Sequence, residues 1–348
     1  MSARFVVLGG YGAVGRAVAA RLGEWFPGEV LATGRDPEQL RVLAQRTGGA
    51  VTVRQLDVLD RGAVVATVTG AEVAVMCVER DNLGVAGACL AAHVHYVDVV
   101  ATESVVAAIE RLDSIARVNG ATAVLSVGLA PGLTNAAARW VRAQQPDATR
   151  IDLSLVFGLA GDHGLDSTRW IVDRLADTPP AGSTRARVPV MGWGERVVHP
   201  LGFSDQATLA RRLEVPVTTR IAFESPLLTE ALFALRRAGL FRLARGRGAA
   251  LARRALGVRR FGTDRFVVQA DAIAPTASTT LAVSGHGEAR STGIVAAHAA
   301  RLLTERISSP GVVHLDDLAD AGVLLRSLEP DGLRARCERV TSAVCPGS

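Results

Sequence analysis

Residues 4–15 read Arg4-Phe5-Val6-Val7-Leu8-Gly9-Gly10-Tyr11-Gly12-Ala13-Val14-Gly15. A short apolar run ends in glycine, and from Ala13 to Leu22 the period changes, with Val14, Val18 and Leu22 four apart on one face. The order is strand, glycine turn, helix. In that setting Gly10-x-Gly12-x-x-Gly15 has the spacing of a dinucleotide-binding turn. Gly10 is expected to permit the tight turn, Gly12 to let the backbone approach a pyrophosphate, and Gly15 to let the helix pack on the strand. Tyr11, Ala13 and Val14 complete the expected loop, and free N–H groups at the positive end of the helix dipole would hold the phosphates.

Outward from this turn, strand and helix alternate. Glu29–Thr33, Val51–Leu56, Glu72–Val78, His95–Val99 and Thr122–Val127 read as strands; Asp36–Arg46, Leu83–Ala92 and Ser104–Val118 read as helices. Asp36 suits an N-cap and Pro37 a first helical position. Short connections between alternating elements predict a doubly wound parallel sheet. After Pro131 the pattern becomes half-polar. Asp152–Phe157, Ala186–Val190, Arg196–Pro200, Arg265–Ala272 and Ser278–Val283 look like strands of a second sheet suited to antiparallel pairing. Gly293–Arg306 returns to an apolar helix. The expected class is α/β: a Rossmann-type doubly wound parallel sheet with an inserted α+β second domain. The expected boundaries are a dinucleotide-binding domain over 1–130, a substrate and dimerisation domain over 131–286, a return helix over 287–326 that packs on the first domain, and a peripheral, charged segment over 327–348.

Composition narrows the chemistry. The 348 residues are 49% hydrophobic and 21% charged, as in a packed globular protein of about two domains. All 39 basic residues are arginine, which a GC-rich genome accounts for. The absence of lysine excludes a Schiff-base lysine, a Walker A loop and the Tyr-x-x-x-Lys pair of short-chain dehydrogenases. The two tyrosines are Tyr11 and Tyr96, and Val100 stands four residues after the latter. Cys77, Cys89, Cys337 and Cys345 form no C-x-x-C pair and no secretory leader precedes the first strand, so reduced thiols in a cytoplasmic protein are expected. No apolar run reaches membrane-spanning length.

The second strand ends in Thr33-Gly34-Arg35. NAD-selective sites place a carboxylate there for the ribose 2′-hydroxyl; a guanidinium suits a 2′-phosphate, with Thr33 as a further donor. NADP(H) is the expected cofactor, although Asp36 lies one residue on. Asp57 and Val58 follow the third strand, where adenine is commonly cradled. Cys77, Val78 and Glu79 end the fourth, beside the expected nicotinamide ribose, with Cys77 read as buried filler. Pro131 and Gly132 start the domain crossover, where Gly132 would present backbone donors to the nicotinamide amide or act as a hinge.

Three segments bring a family into view: GGYGAVG over 9–15, the stretch from Cys89 through HVHYVDV to Val99, and Gly128-Leu-Ala-Pro-Gly-Leu-Thr-Asn135. With Ser284-Gly-His-Gly-Glu-Ala-Arg290 and Ser291–Val295 they resemble the saccharopine dehydrogenase family, in its saccharopine reductase-like branch. The resemblance covers about the first 135 residues and the region near 284–316. It implies NAD(P)-dependent oxidoreduction at a carbon–nitrogen bond, with a small-molecule substrate held between two domains. The chain has no lysine to serve as an acid–base group.

An iminium is already electrophilic and needs little acid–base help; a ketone needs a proton donor for the developing alkoxide. The candidate donors are His163, in the turn Gly161-Asp162-His163-Gly164, and Tyr96 with Asp98, which alternate with Val97 and so share one side, towards either a cleft or a helix. His93 and His95 lack a third ligand at sensible spacing, so no metal is expected. Nine arginines between Arg236 and Arg260, interleaved with leucines, read as a solvated basic surface or as a docking face for a membrane surface or carrier protein; no nucleic-acid motif accompanies them. A homodimer is expected. The alternatives in function are a keto or enoyl reductase or an isomerase on the same scaffold, or a non-catalytic, membrane-associated nucleotide-binding adaptor.

Overall fold

The computed structural model describes residues 3–160, 165–177, 184–243, 262–305 and 309–341. The chain divides into two compact units, Met1–Gly132 with Ala289–Asp320, and Leu133–Glu288 with Ala321–Ser348. Strands are numbered along the whole chain: β1 (Phe5–Leu8), β2 (Val30–Gly34), β3 (Val51–Gln55), β4 (Val73–Met76), β5 (His95–Asp98), β6 (Thr122–Leu125) and β7 (Arg150–Phe157). There follow β8 (Ala186–Val190), β9 (Gly194–Pro200), β10 (Val217–Phe223), β11 (Arg265–Ile273), β12 (Ala277–His286), β13 (Gly311–His314) and β14 (Arg334–Thr341).

The first unit is a seven-stranded sheet in the order β13-β6-β5-β4-β1-β2-β3, with every pair parallel. The strand order reverses between β1 and β4, the point where open α/β sheets take their ligands. Strands β1, β2, β4 and β6 are buried along their whole length, as a parallel sheet with both faces covered requires. One face closes over Leu8, Met76, Tyr96 and Leu125, packed with Val85, Leu90 and Ile109. Each such leucine or isoleucine contributes about 1.5–3 kcal/mol by leaving water.

Helices α1 (Gly15–Trp25), α2 (Pro37–Arg46), α3 (Arg61–Val68), α4 (Asn82–Ala91), α5 (Glu103–Glu110) and α6 (Asp113–Val118) connect the strands. The single helix expected over Ser104–Val118 is thus two, and Asp113 at the second start accepts the Val312 N–H of β13 at 2.9 Å. The long helix Glu288–Glu305 meets α1 through Gly293, where a Cβ would lie 2.6 Å from the Ala17 Cβ and the Val14 oxygen.

The second unit is a sheet in the order β14-β12-β11-β7-β10-β9-β8. Its pairs are antiparallel except β7 with β10, which run parallel. Helix α7 (Thr134–Gln144) packs against β11 and β12, and Thr279 Oγ1 donates to Gln145 Oε1 at 3.1 Å. Residues 334–341, expected to be peripheral, instead pair as β14 along the outer edge of β12. The outer edge of β12 needs hydrogen-bond partners, and β14, rich in charged residues, both supplies them and makes a poor template for further pairing.

Candidate functional site

The glycine turn lies wholly in the first unit. Gly9 takes φ +81°, and Gly9 and Gly10 both donate their N–H to the Thr33 carbonyl, at 3.0 and 2.7 Å. The left-handed turn residue is therefore Gly9, not Gly10 as expected. Gly10 is glycine because β2 passes beside it: a Cβ there would lie 2.6 Å from the Ala32 Cβ. At Gly15 a Cβ would lie 2.2 Å from the Gly9 oxygen and 2.9 Å from the Gly10 Cα, so the helix packs on the loop backbone itself. Gly12 differs. A Cβ there would touch only the Gly9 oxygen, at 3.3 Å, and otherwise enter open space.

Helix α1 begins with Arg16 N–H donating to the Gly12 oxygen and Val18 N–H to the Val14 oxygen. The N–H groups of Ala13, Val14 and Gly15 donate to no backbone carbonyl among the described residues. These are the unclaimed donors of a helix N-terminus, at the positive end of its dipole and beside the bare side of Gly12. A pyrophosphate fits that seat.

At the exit of β2 the ring of Tyr11 lies over Gly34, so close that a Cβ on Gly34 would come within 2.3 Å of the ring edge. Arg35 follows, exposed, its backbone oxygen accepting from Gln55 Nε2 at 3.0 Å. Its guanidinium has no ion pair or hydrogen bond among the described residues. Asp36 turns away: its carboxylate accepts the Glu38 and Gln39 N–H groups at 2.9 and 3.3 Å, capping α2. The acid one residue past Arg35 is thereby committed to a helix. Thr33 is a correction, since it is fully buried and its hydroxyl donates to the Val7 oxygen inside the sheet. Asp57 also serves its own turn, accepting Leu59 N–H at 3.1 Å, while Val58 packs in the core.

At β4 and β5 the structure separates residues that the sequence grouped together. Val78 packs on Gly9, and Glu79 accepts the Thr102 hydroxyl at 2.7 Å. Burial pushes the Cys77 thiol well up from its ordinary value, and that of Cys89 to about 12, so neither is a ready thiolate. Tyr96 and Asp98 do share a side, but it is the side covered by α4. Both are fully buried; Tyr96 donates to Asp98 Oδ2 at 2.6 Å, Asn82 Nδ2 donates to both oxygens at 3.0 and 3.1 Å, and Val100 N–H donates at 2.9 Å. Burial raises the Asp98 carboxyl to about 6 against the pull of its three donors, and raises the Tyr96 phenol further above its usual range. Their expected catalytic place is corrected to a satisfied polar knot that ties β5 to α4.

The exit of β6 holds a group that no local motif announced. Ser126 has φ +53°, a left-handed conformation that costs an L-residue about 1–2 kcal/mol. Its Oγ lies 2.8 Å from His314 Nδ1, and His314 Nε2 lies 3.1 Å from Glu110 Oε1. Ser126 and His314 are buried, whereas Glu110 is about one-third exposed. With Ser126 as donor and Glu110 as acceptor, a continuous hydrogen-bonded line runs from the carboxyl edge of the sheet to solvent. Serine and histidine are 188 residues apart, so only the pairing of β13 with β6 reveals them. Pro131 and Gly132 are buried beside this turn, with Ala130–Pro131 cis; a Cβ on Gly132, at φ +133°, would lie 2.9 Å from the Ser126 oxygen.

Of the remaining candidates, His163 lies outside the described residues. His93 Nδ1 meets the Asn119 oxygen at 2.8 Å and His95 Nδ1 accepts Thr122 N–H at 3.0 Å, both structural contacts. Within the arginine-rich segment, residues 244–261 lie outside the described residues. Arg236 turns inward, its guanidinium donating to the Pro200 and Asp177 oxygens at 2.7 and 3.1 Å, and so is withdrawn from any docking face. Among the described residues no helix is long and apolar enough to cross a membrane.

Residues 5–124 match the saccharopine dehydrogenase NADP binding domain. No curated protein sequence matches the chain. Among solved structures, apo saccharopine dehydrogenase (L-Glu forming) from Saccharomyces cerevisiae shares the fold, with TM-score 0.70 and 14% identity over 96% of this chain and 99% of that one. A putative myo-inositol dehydrogenase from Sinorhizobium meliloti covers 98% and 100% at 12% identity, but its TM-score of 0.44 is too low to speak for the architecture. NADP(H) is the cofactor of the matched domain, and the seat at Gly12 with the unpaired Arg35 suits it. Residues 5–124 thus carry the saccharopine dehydrogenase NADP binding domain of an NAD(P)-dependent oxidoreductase, and the chain shares the fold of a saccharopine dehydrogenase.

Proposed function

We propose that the protein is an NADP(H)-dependent reductase of a small imine or carbonyl metabolite. The observation that carries this reading is the pairing of unclaimed N–H donors at the start of α1 with Arg35 at the exit of β2, its neighbouring acid locked into a cap. The amides of Ala13, Val14 and Gly15 hold the pyrophosphate, and Arg35 pairs with the 2′-phosphate while Tyr11 walls that end of the seat. When bound, NADPH supplies a hydride to the electrophilic carbon of a C=N or C=O group. The proton that the nitrogen or oxygen then takes up comes along Ser126, His314 and Glu110. For delivery the line runs in the opposite sense: a Glu110 carboxyl that has taken a proton from water donates to His314 Nε2, His314 Nδ1–H donates to Ser126 Oγ and the Ser126 hydroxyl donates to the substrate. Each bond passes its proton one step on, and Glu110 regains one from water. An iminium, already cationic, asks least of this line.

The test is NADPH consumption against a panel of imines, amine–aldehyde mixtures and carbonyl compounds, with reduced product identified by mass. Oxidation with an imine or carbonyl, faster with NADPH than with NADH, is expected. Tight NADPH binding with no turnover on any member would overturn the reductase reading in favour of a nucleotide-binding adaptor.

A further inference from the structure

In the second unit, strands β11, β12 and β14 align so that three neighbouring rows of side chains point to one face. The register sets Arg265 beside His286, Val267 beside Ser284 and Arg334, and Gln269 beside Ala282 and Arg336. Thr279, which reaches Gln145 at the end of α7, has the opposite parity and points to the other face. The central positions are therefore small or short, and the surrounding ones are long and cationic. Met191 and Gly192, between β8 and β9, close one side, and the result is a hollow of about 440 Å³. That is the size of a small-molecule pocket, not of a bare ion site.

Its charge is lopsided. Arg334 and Arg336 are two apart on one strand, so their side chains leave the same face; both are exposed, and neither has an acid partner among the described residues. Arg265 is steered by Trp193, its guanidinium 5.1 Å from that ring, and donates to the Gly192 oxygen at 3.4 Å. Of the nearby acids, Asp264 is taken by His286 at 2.7 Å, and Glu338 stands one step further along β14, beside Thr280. Like charges gathered on one sheet face repel, and folding bears that cost unless an anion answers it. Guanidinium forks converging over a floor of Val267, Ala282 and Ser284 are suited to a phosphate or carboxylate group, with Ser284 as a neutral donor.

We infer that the second unit carries a binding site for a small organic polyanion, phosphorylated or polycarboxylate, held by Arg265, Arg334 and Arg336 on the sheet face opposite α7. This site is built from second-unit residues alone and does not depend on the reductase reading.

The experiment is calorimetric titration of the whole protein, saturated beforehand with NADPH so that the glycine turn is filled, with pyrophosphate in one arm and citrate in the other. Ionic strength is held constant with sodium chloride. Saturable one-to-one binding of at least one probe is expected; the tighter arm says whether phosphate or carboxylate is preferred. The variant R334Q/R336Q should lose at least about tenfold in that affinity, from two charge-assisted contacts, and R336Q alone a smaller part, with NADPH affinity unchanged. Both changes lie on an exposed edge strand, and an unchanged melting temperature without probe shows that the variants fold. Absence of saturable binding of either probe, or equal binding by the double variant, overturns the inference. So does a wild-type dimer that the double variant breaks without any probe, since the arginines would then be answering acids on a second copy of the chain.

Discussion

The two seven-stranded sheets organise charge in opposite ways. In the first, every strand runs in one direction, the faces are apolar and buried, and chemistry is confined to the strand ends: the amides after β1, Arg35 after β2, Ser126 after β6. In the second, strands run mostly antiparallel, polar side chains stand in the middle of the sheet, and charge accumulates across strands in rows. Direction is the cause. Parallel strands need crossover helices on both faces, which leave only the carboxyl edge open, whereas antiparallel strands leave a face to water and can build a site on it. Ligands of the first sheet are met by backbone and by single residues at turns. Those of the second would be met by side chains brought together by register.

Substitutions can break or sharpen this contrast. The largest effect is expected from Gly15→Val, which drives a side chain into the Gly9 oxygen. NADPH affinity should fall by about a hundredfold or more, with circular dichroism unchanged. Retained affinity would mean that the strand-end amides are not the cofactor seat.

The next test is on the second sheet. Asp205 is fully buried beneath β10, takes the Thr219 hydroxyl at 3.1 Å, and has its carboxyl raised to about 6 by burial, against hydrogen bonds from Thr134, Thr219 and the Gln206 backbone. A raised carboxyl pKa favours the neutral folded form, so its contribution to stability is full below about pH 4 and is lost as pH rises through about 6. Asp205→Asn should flatten this part of the stability profile, a difference of about 2 kcal/mol between those limits. Chemical denaturation at pH 4 and pH 7 measures it, and an unchanged slope would remove Asp205 as its source.

Arg35→Ser should raise KM for NADPH by about tenfold or more, the loss of a charge-assisted contact, and leave KM for NADH where it was. Equal changes for both cofactors would count against a 2′-phosphate contact. For His314→Gln we expect kcat to fall by about tenfold with NADPH affinity retained. A fall in stability alone, with kcat intact, would leave His314 as a fastener of β13 to β6. The smallest effect belongs to Asp36→Ala, which should cost about 1 kcal/mol of stability by uncapping α2 and should not alter cofactor preference.

How much of this was legible in the sequence follows from the same contrast. The first sheet was readable because its signals are contiguous: β1, the glycine turn and α1 occupy one stretch, and Arg35 directly follows its strand. The second was partly hidden. Strands β10 and β14 alternate polar and apolar residues like a solvated surface, and β14 closes an edge opened far earlier in the chain. Tyr96 and Asp98 were read as sharing a side, which holds, but periodicity does not say which side, and Asn82 on α4 answers that. Ser126 and His314 meet only across two strands that are distant in sequence.

One small feature reaches beyond the binding of this cofactor. Tyr11 rests on Gly34 with no room for a Cβ. An acidic side chain at position 34, one direct route to recognising a ribose hydroxyl in place of a phosphate, cannot be installed while that ring stays where it is. Redesign of cofactor choice at this strand end therefore couples two positions: residue 34 opens to change when the Tyr11 ring swings aside or is made smaller.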